Sequence, residues 1–167
     1  AVNGGAIAFQ DLHISTLGDD VAFRGLSLDV AIVEAIAVGN GWFIPSTSIG
    51  PTPAYVERAN RLVVEVNRSQ PLSLQHIHDV YRPEAPPNRE PLALTDADES
   101  IGSPRVSFEE KKLEAVVESN RKDRPYSFRT PGTAEQDIAE NLVAFLNAEV
   151  QENPLFQDTV HLQFGVG

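Results

Sequence analysis

The chain has 167 residues, enough to bury a real core either as one domain or as parts of two. With 41% hydrophobic and 22% charged residues it has a soluble, globular composition, and no apolar run is long enough to cross a bilayer, which argues against a membrane partner. The formal net charge of -11, from 24 acidic against 13 basic residues, disfavours nucleic acid as a partner because no basic stripe offsets the repulsion.

The absence of cysteine excludes disulfides, thiolate metal sites and a cysteine nucleophile. Methionine is absent too, and residues 1–5 are small and polar rather than a basic-then-apolar leader, so the chain reads as a piece of a longer, cytoplasmic protein. Its only lysines are Lys111, Lys112 and Lys122, an acidic balance that suits a salt-loving source as well as an ordinary acidic enzyme.

In chain order, AIAF and LHIS within residues 1–20 each predict a short strand, and His13 reads as a structural or surface histidine. Residues 29–38, DVAIVEAIAV, predict a parallel strand covered on both faces, with Glu34 as a paired, structural carboxylate. Gly39-Asn40-Gly41 predicts a turn and Trp42-Phe43-Ile44 a short strand behind it.

The small, hydroxyl-rich PSTSIG at residues 45–50 then feeds a helix, with Thr52 as N-cap and Pro53 in the first turn. Free amides at that helix start are a place for an anion or a carbonyl oxygen. A second buried strand follows from Leu62 to Val66, so residues 29–66 make a βαβ unit and an α/β sheet. It ends in the polar loop 67–71, where such sheets put their ligands.

Residues 82–100 hold Pro83, Pro86, Pro87 and Pro91 among many acids and predict a long excursion rather than a buried element. A strand centred on residues 113–117 follows. Residues 120–130 carry Arg121, Lys122, Arg124 and Arg129, read as a solvated loop in preference to a phosphate contact. Residues 133–150 predict a scaffold helix, with Thr133 and Gln136 as a capping box and Ile138, Leu142, Phe145 and Leu146 on one face. TVHLQF at residues 159–164 alternates as a strand does and runs into Gly165-Val166-Gly167.

Chemistry is sparse in this pattern. No G-x-S-x-G elbow raises Ser46 or Ser48 to a nucleophile, and no P-loop or complete dinucleotide fingerprint is present. His76, His78 and Asp79 are metal-like in type, but histidines two apart on an extended stretch point to opposite faces, so no metal site is expected.

Several of these segments together, DVAIVEAIAV, IPSTSIGPTPAYVE, VVEVN, HDVY, PPNREP, IGSPR and KLEAVVESN, resemble the acetyl-CoA hydrolase/succinyl-CoA:acetate CoA-transferase family in the order in which the family shows them. The likeness is strongest over residues 29–67, 78–81, 86–119 and 161–167. It implies an α/β fold with mostly parallel sheets and flanking helices, a CoA-transferase-like architecture in parts of two domains. Residues 1–100 would then end the first domain, including the excursion 82–100, and residues 101–167 would begin the second.

The resemblance implies acyl-CoA, such as acetyl-CoA or succinyl-CoA, and a small carboxylate as partners. Coenzyme A would serve as substrate, with no further cofactor, and the full-length protein would be a homodimer. In that family a glutamate attacks the thioester and is held as a glutamyl-CoA thioester, and a GVGN-type turn binds CoA and helps to hold the oxyanion. Gly165, Val166 and Gly167 match the first three positions of that turn. The nucleophilic glutamate follows the turn in the family, so no catalytic residue is expected within this chain. Two readings from other classes stay open: a non-catalytic ligand-binding module using residues 45–50, and an interaction domain using residues 82–100.

Overall fold

The computed structural model describes residues 3–9, 11–23, 27–84, 87–96, 98–125, 127–156 and 162. The chain divides into two compact units, Ala1–Asp123 and Arg124–Gly167.

The first unit opens with helix α1, Ile14–Phe23, where the LHIS pattern predicts a strand. Local polar bonds override the apolar alternation. The amide and hydroxyl of Ser15 donate to His13 Nδ1 at 3.3 and 2.7 Å, and those of Thr16 donate to the His13 carbonyl at 3.0 Å, which turns the chain into a helical start. His13 is therefore structural. AIAF forms no strand among the described residues.

Strand β1, Leu28–Gly39, turns through Asn40 and Gly41 into β2, Trp42–Pro45. Gly41 has φ +72°, a backbone region that favours glycine. Helix α2, Thr52–Arg58, leads directly into β3, Ala59–Asn67, which starts three residues before the apolar run does. Pro51 occupies the cap position expected for Thr52, and the Thr52 amide is spent on the Ile49 carbonyl at 3.1 Å.

The short β4, Val106–Ser107, and then β5, Leu113–Ser119, complete a five-stranded sheet in the order β4-β2-β1-β3-β5. The long ladders, β1 with β3 and β3 with β5, are parallel, and the short ones, β1 with β2 and β2 with β4, are antiparallel. The α/β class is as the sequence predicts. The boundary near Ser100 is not: β4 and β5 follow that residue and hydrogen-bond into the same sheet as β1–β3.

One face of the sheet forms the core. Ala31, Val33 and Ala35 of β1 and Leu62, Val64 and Val66 of β3 are buried with Phe43, Val106 and Val56 of α2. Burial at about 25 cal/mol per Å² of apolar surface is what holds this layer together. Outside that cluster the sheet is open in part among the described residues: Ile32 is 74% exposed and Val30 and Val117 are also exposed, whereas Ile36 and Ile44 are buried. The apolar runs of β1 and β3 predict burial on two faces. The strands alternate instead, and Glu65, the polar break in the apolar run, lies on the open side in register with Glu34.

The proline-rich residues 81–100 form no helix or strand among those described, yet they are tethered. Arg82 pairs with Glu57 of α2 at 2.7 Å, and Arg89 grips both carboxylate oxygens of Asp19 on α1 at 2.9 and 3.0 Å. The Arg89 hydrogen bonds hold the Asp19 carboxyl below the usual aspartate range.

The second unit is built on α3, Thr133–Glu152. Its cap differs from the Thr133–Gln136 expectation: Gly132 is the N-cap, and the Glu135 carboxylate accepts from the Gly132 amide at 2.9 Å while also pairing with Arg129. Ile138, Leu142 and Phe145 of its apolar stripe are exposed. No helix among the described residues is long and apolar enough to cross a membrane.

Candidate functional site

Parallel strands deliver their carboxyl ends to one edge, and here that edge is organised by Asn67, the last residue of β3. Asn67 is 3% exposed, and its side chain bonds in five directions. Nδ2 donates to Glu34 Oε1 at 2.8 Å and to the Arg121 carbonyl at 2.7 Å. Oδ1 accepts from the Ser69 amide at 3.1 Å, the Ser69 hydroxyl at 2.8 Å and the Arg121 amide at 3.1 Å. One amide thus ties β1, the loop after β3 and the loop after β5 into a single network.

Glu34 is thereby held by a neutral donor, and its carboxylate has a fixed direction, in keeping with the paired, structural role expected from sequence. Around this centre the Arg68 amide donates to the Ser119 carbonyl at 2.8 Å, and Gln70 Nε2 donates to Asp123 Oδ1 at 2.9 Å. Arg68 also pairs with Glu118. The cationic run of residues 121–129 is divided by this arrangement. Arg121 is held through its backbone by Asn67, whereas Arg124 and Arg129 belong to the second unit and Arg129 is committed to Glu135.

A second set of contacts joins loops rather than strands. Residues Leu72–Ile77 form a 3-10 helix, not the extended stretch expected, and the chain then straightens at His78. His78 Nε2 bonds to the Pro45 carbonyl at 3.0 Å, at the root of the PSTSIG loop. Asp79 accepts from the Gly102 amide at 2.6 Å and the Ile101 amide at 3.3 Å, and Val80 and Ser103 exchange backbone bonds at 2.7 and 3.1 Å. A Cβ at Gly102 would come within 2.4 Å of the Val80 carbonyl oxygen, so only glycine allows this approach.

HDVY and IGSP, far apart in sequence, are two halves of one clamp. His78 and Asp79 are occupied by these bonds, and among the described residues no three histidine or acidic side chains converge as a metal site would require. Gly165, Val166 and Gly167, and all of residues 159–164 but Leu162, lie outside the described residues.

Comparison with known proteins then decides the family. The model of the acetyl-CoA hydrolase/transferase N-terminal domain matches residues 1–122, nearly the whole first unit. The chain belongs to the acetyl-CoA hydrolase/transferase family.

Among the family's members, a succinyl-CoA:acetate CoA-transferase from Clostridium kluyveri is 36% identical over 99% of this chain and 31% of its own length. An acetyl-CoA hydrolase from Yarrowia lipolytica is 31% identical over 100% of this chain and 33% of its own length. The chain therefore spans about a third of the relatives it matches. A solved structure of a RipA point mutant aligns with a TM-score of 0.50 at 16% identity, over 87% of this chain and 27% of that one, which bears on the fold alone. The match to residue 122 also fits a division after Asp123 rather than near Ser100.

Proposed function

We propose that this chain is part of an enzyme that moves CoA between an acyl-CoA, such as acetyl-CoA or succinyl-CoA, and a small carboxylate or water. The family match supports this reading most strongly, because it extends across the sheet and both clamped loops rather than one short motif.

The chemistry proceeds by covalent catalysis at a carboxylate. A glutamate attacks the thioester carbonyl and expels the CoA thiolate, giving a mixed anhydride. The thiolate then attacks the glutamyl carbonyl and releases the carboxylate of the original acyl group, leaving a glutamyl-CoA thioester. A second carboxylate, or water, closes the cycle. Developing negative charge on the thioester oxygen needs backbone amides, and in this reading Gly165, Val166 and Gly167 supply CoA contacts and part of that site.

None of Glu34, Glu65 and Glu118 is assigned as the nucleophile. Glu34 is bonded to Asn67 and Glu118 is paired with Arg68, so both carboxylates are engaged in holding loops. Glu65 sits in mid-strand, in register with Glu34. In this reading the nucleophile lies in polypeptide outside residues 1–167, because in the family the glutamate follows the positions that Gly165, Val166 and Gly167 match. In this reading coenzyme A is a substrate, no further cofactor takes part, and the complete protein is a cytoplasmic homodimer.

Purified residues 1–167 are expected to show neither thioester cleavage nor CoA transfer with acetyl-CoA or succinyl-CoA, followed by release of free thiol and by exchange into labelled acetate. Sustained turnover by this chain would overturn the assignment of the nucleophile.

A further inference from the structure

We propose that the groove between α2, β4 and the turn before β5 binds a small monocarboxylate carrying a short apolar tail. The groove has a volume of about 530 Å³, within the size of small-molecule sites, and it shares no residue with the Asn67 network. Its apolar lining comes from Val56, Val80, Val106 and Phe108, and the Phe108 ring rests on the fully buried Phe43, with centroids 6.2 Å apart.

Five charged side chains line the same groove, and four of them are engaged. Arg82 pairs with Glu57 at 2.7 Å. Glu109 pairs at 2.7 Å with Lys111, which lies outside the groove, and Lys112 donates to the Glu57 carbonyl at 2.6 Å, which locks its ammonium in place. The fifth, Arg105, has no carboxylate partner among the described residues. Its guanidinium lies 4.0 Å over the Trp42 ring.

Stacking on an indole engages the guanidinium face and leaves its in-plane N–H edge for a bidentate carboxylate. A single unpaired cation beside two acids favours a monoanion, because a dianion or phosphate would add charge next to Glu57 and Glu109 without a further partner. The apolar lining rewards a hydrocarbon tail, since each buried methylene strengthens binding. This site does not depend on the thioester chemistry, and binding is read without turnover.

Trp42, the chain's single tryptophan, sits under the proposed contact and reports on it. Hexanoate added to the full chain of 167 residues is expected to change Trp42 fluorescence saturably, with calorimetry giving the same midpoint. Acetate should bind at least tenfold more weakly and hexylammonium should not compete. Arg105→Gln should weaken hexanoate at least tenfold by calorimetry at an unchanged melting temperature, and Arg105→Lys should weaken it less. The proposal is overturned if hexanoate does not saturate, if acetate matches it, if hexylammonium competes, or if both Arg105 variants bind as the parent does.

Discussion

Phe43→Ala is expected to destabilise the first unit by about 3–5 kcal/mol, as large-to-small changes at fully buried aromatics do. Phe43 is 0% exposed, pairs with Val38 of β1 and Val106 of β4, and meets the Phe108 ring at 6.2 Å with a 32° tilt. Its removal leaves a cavity where three strands meet, and β4, only two residues long, has little else to hold it. Urea unfolding followed by far-UV circular dichroism measures the loss. Ile32→Ala, on the open face, is the matched control and is expected to change stability by no more than about 0.5 kcal/mol. An equal loss at both positions would mean that the open face is covered in solution.

Asn67→Ala is expected to cost about 2–3 kcal/mol, because a buried polar group that loses its partner costs about 1–3 kcal/mol. The part-buried Glu34 carboxylate loses its donor, and the Ser69 and Arg121 amides lose their shared acceptor. Hydrogen exchange at those two amides should speed up well before the sheet amides do.

Asn67→Asp separates the two halves of the network. It keeps an acceptor for the amides but sets a second carboxylate against Glu34, which raises the folded-state pKa of the introduced Asp above its unfolded value. A raised folded pKa means that the pair costs nothing below the unfolded carboxylate range and destabilises as pH rises through the folded value. The Asp variant should therefore approach the parent's stability near about pH 3, below the unfolded carboxylate range, and fall away from it at about pH 8. A pH-independent difference would show that the Glu34 contact carries none of the effect.

These expectations also mark what the sequence makes legible. Dense Val, Ile and Ala runs reveal β1, β3 and β5, because period and branching survive in any packing context. The 20-residue α3 is legible for the same reason: its apolar spacing repeats over several turns. By contrast, α1 is hidden because the bonds of Ser15 and Thr16 to His13, invisible to apolar periodicity, decide its conformation. The two-residue β4 has no period to read, and with it goes the clue that residues after Ser100 return to the same sheet.

The functional edge divides in the same way. That β3 ends in a polar loop at Asn67 follows from composition and Pro71. That the Asn67 side chain reaches Arg121, 54 positions on, is a long-range contact that no local pattern encodes. The HDVY and IGSP words are conspicuous in sequence, but the clamp of Asp79 on Gly102 emerges only when the two are brought together. The signal at Gly102 is the glycine itself, the residue that permits close backbone approach.

The most direct test of the glutamyl-CoA account is to incubate the complete protein with acetyl-CoA and no acceptor, then map the CoA adduct by mass spectrometry of its peptides. The account predicts one CoA-bearing glutamate, in a peptide outside residues 1–167, with release of one equivalent of acetate. An adduct on Glu34, Glu65 or Glu118, or turnover with no adduct at any glutamate, would contradict it.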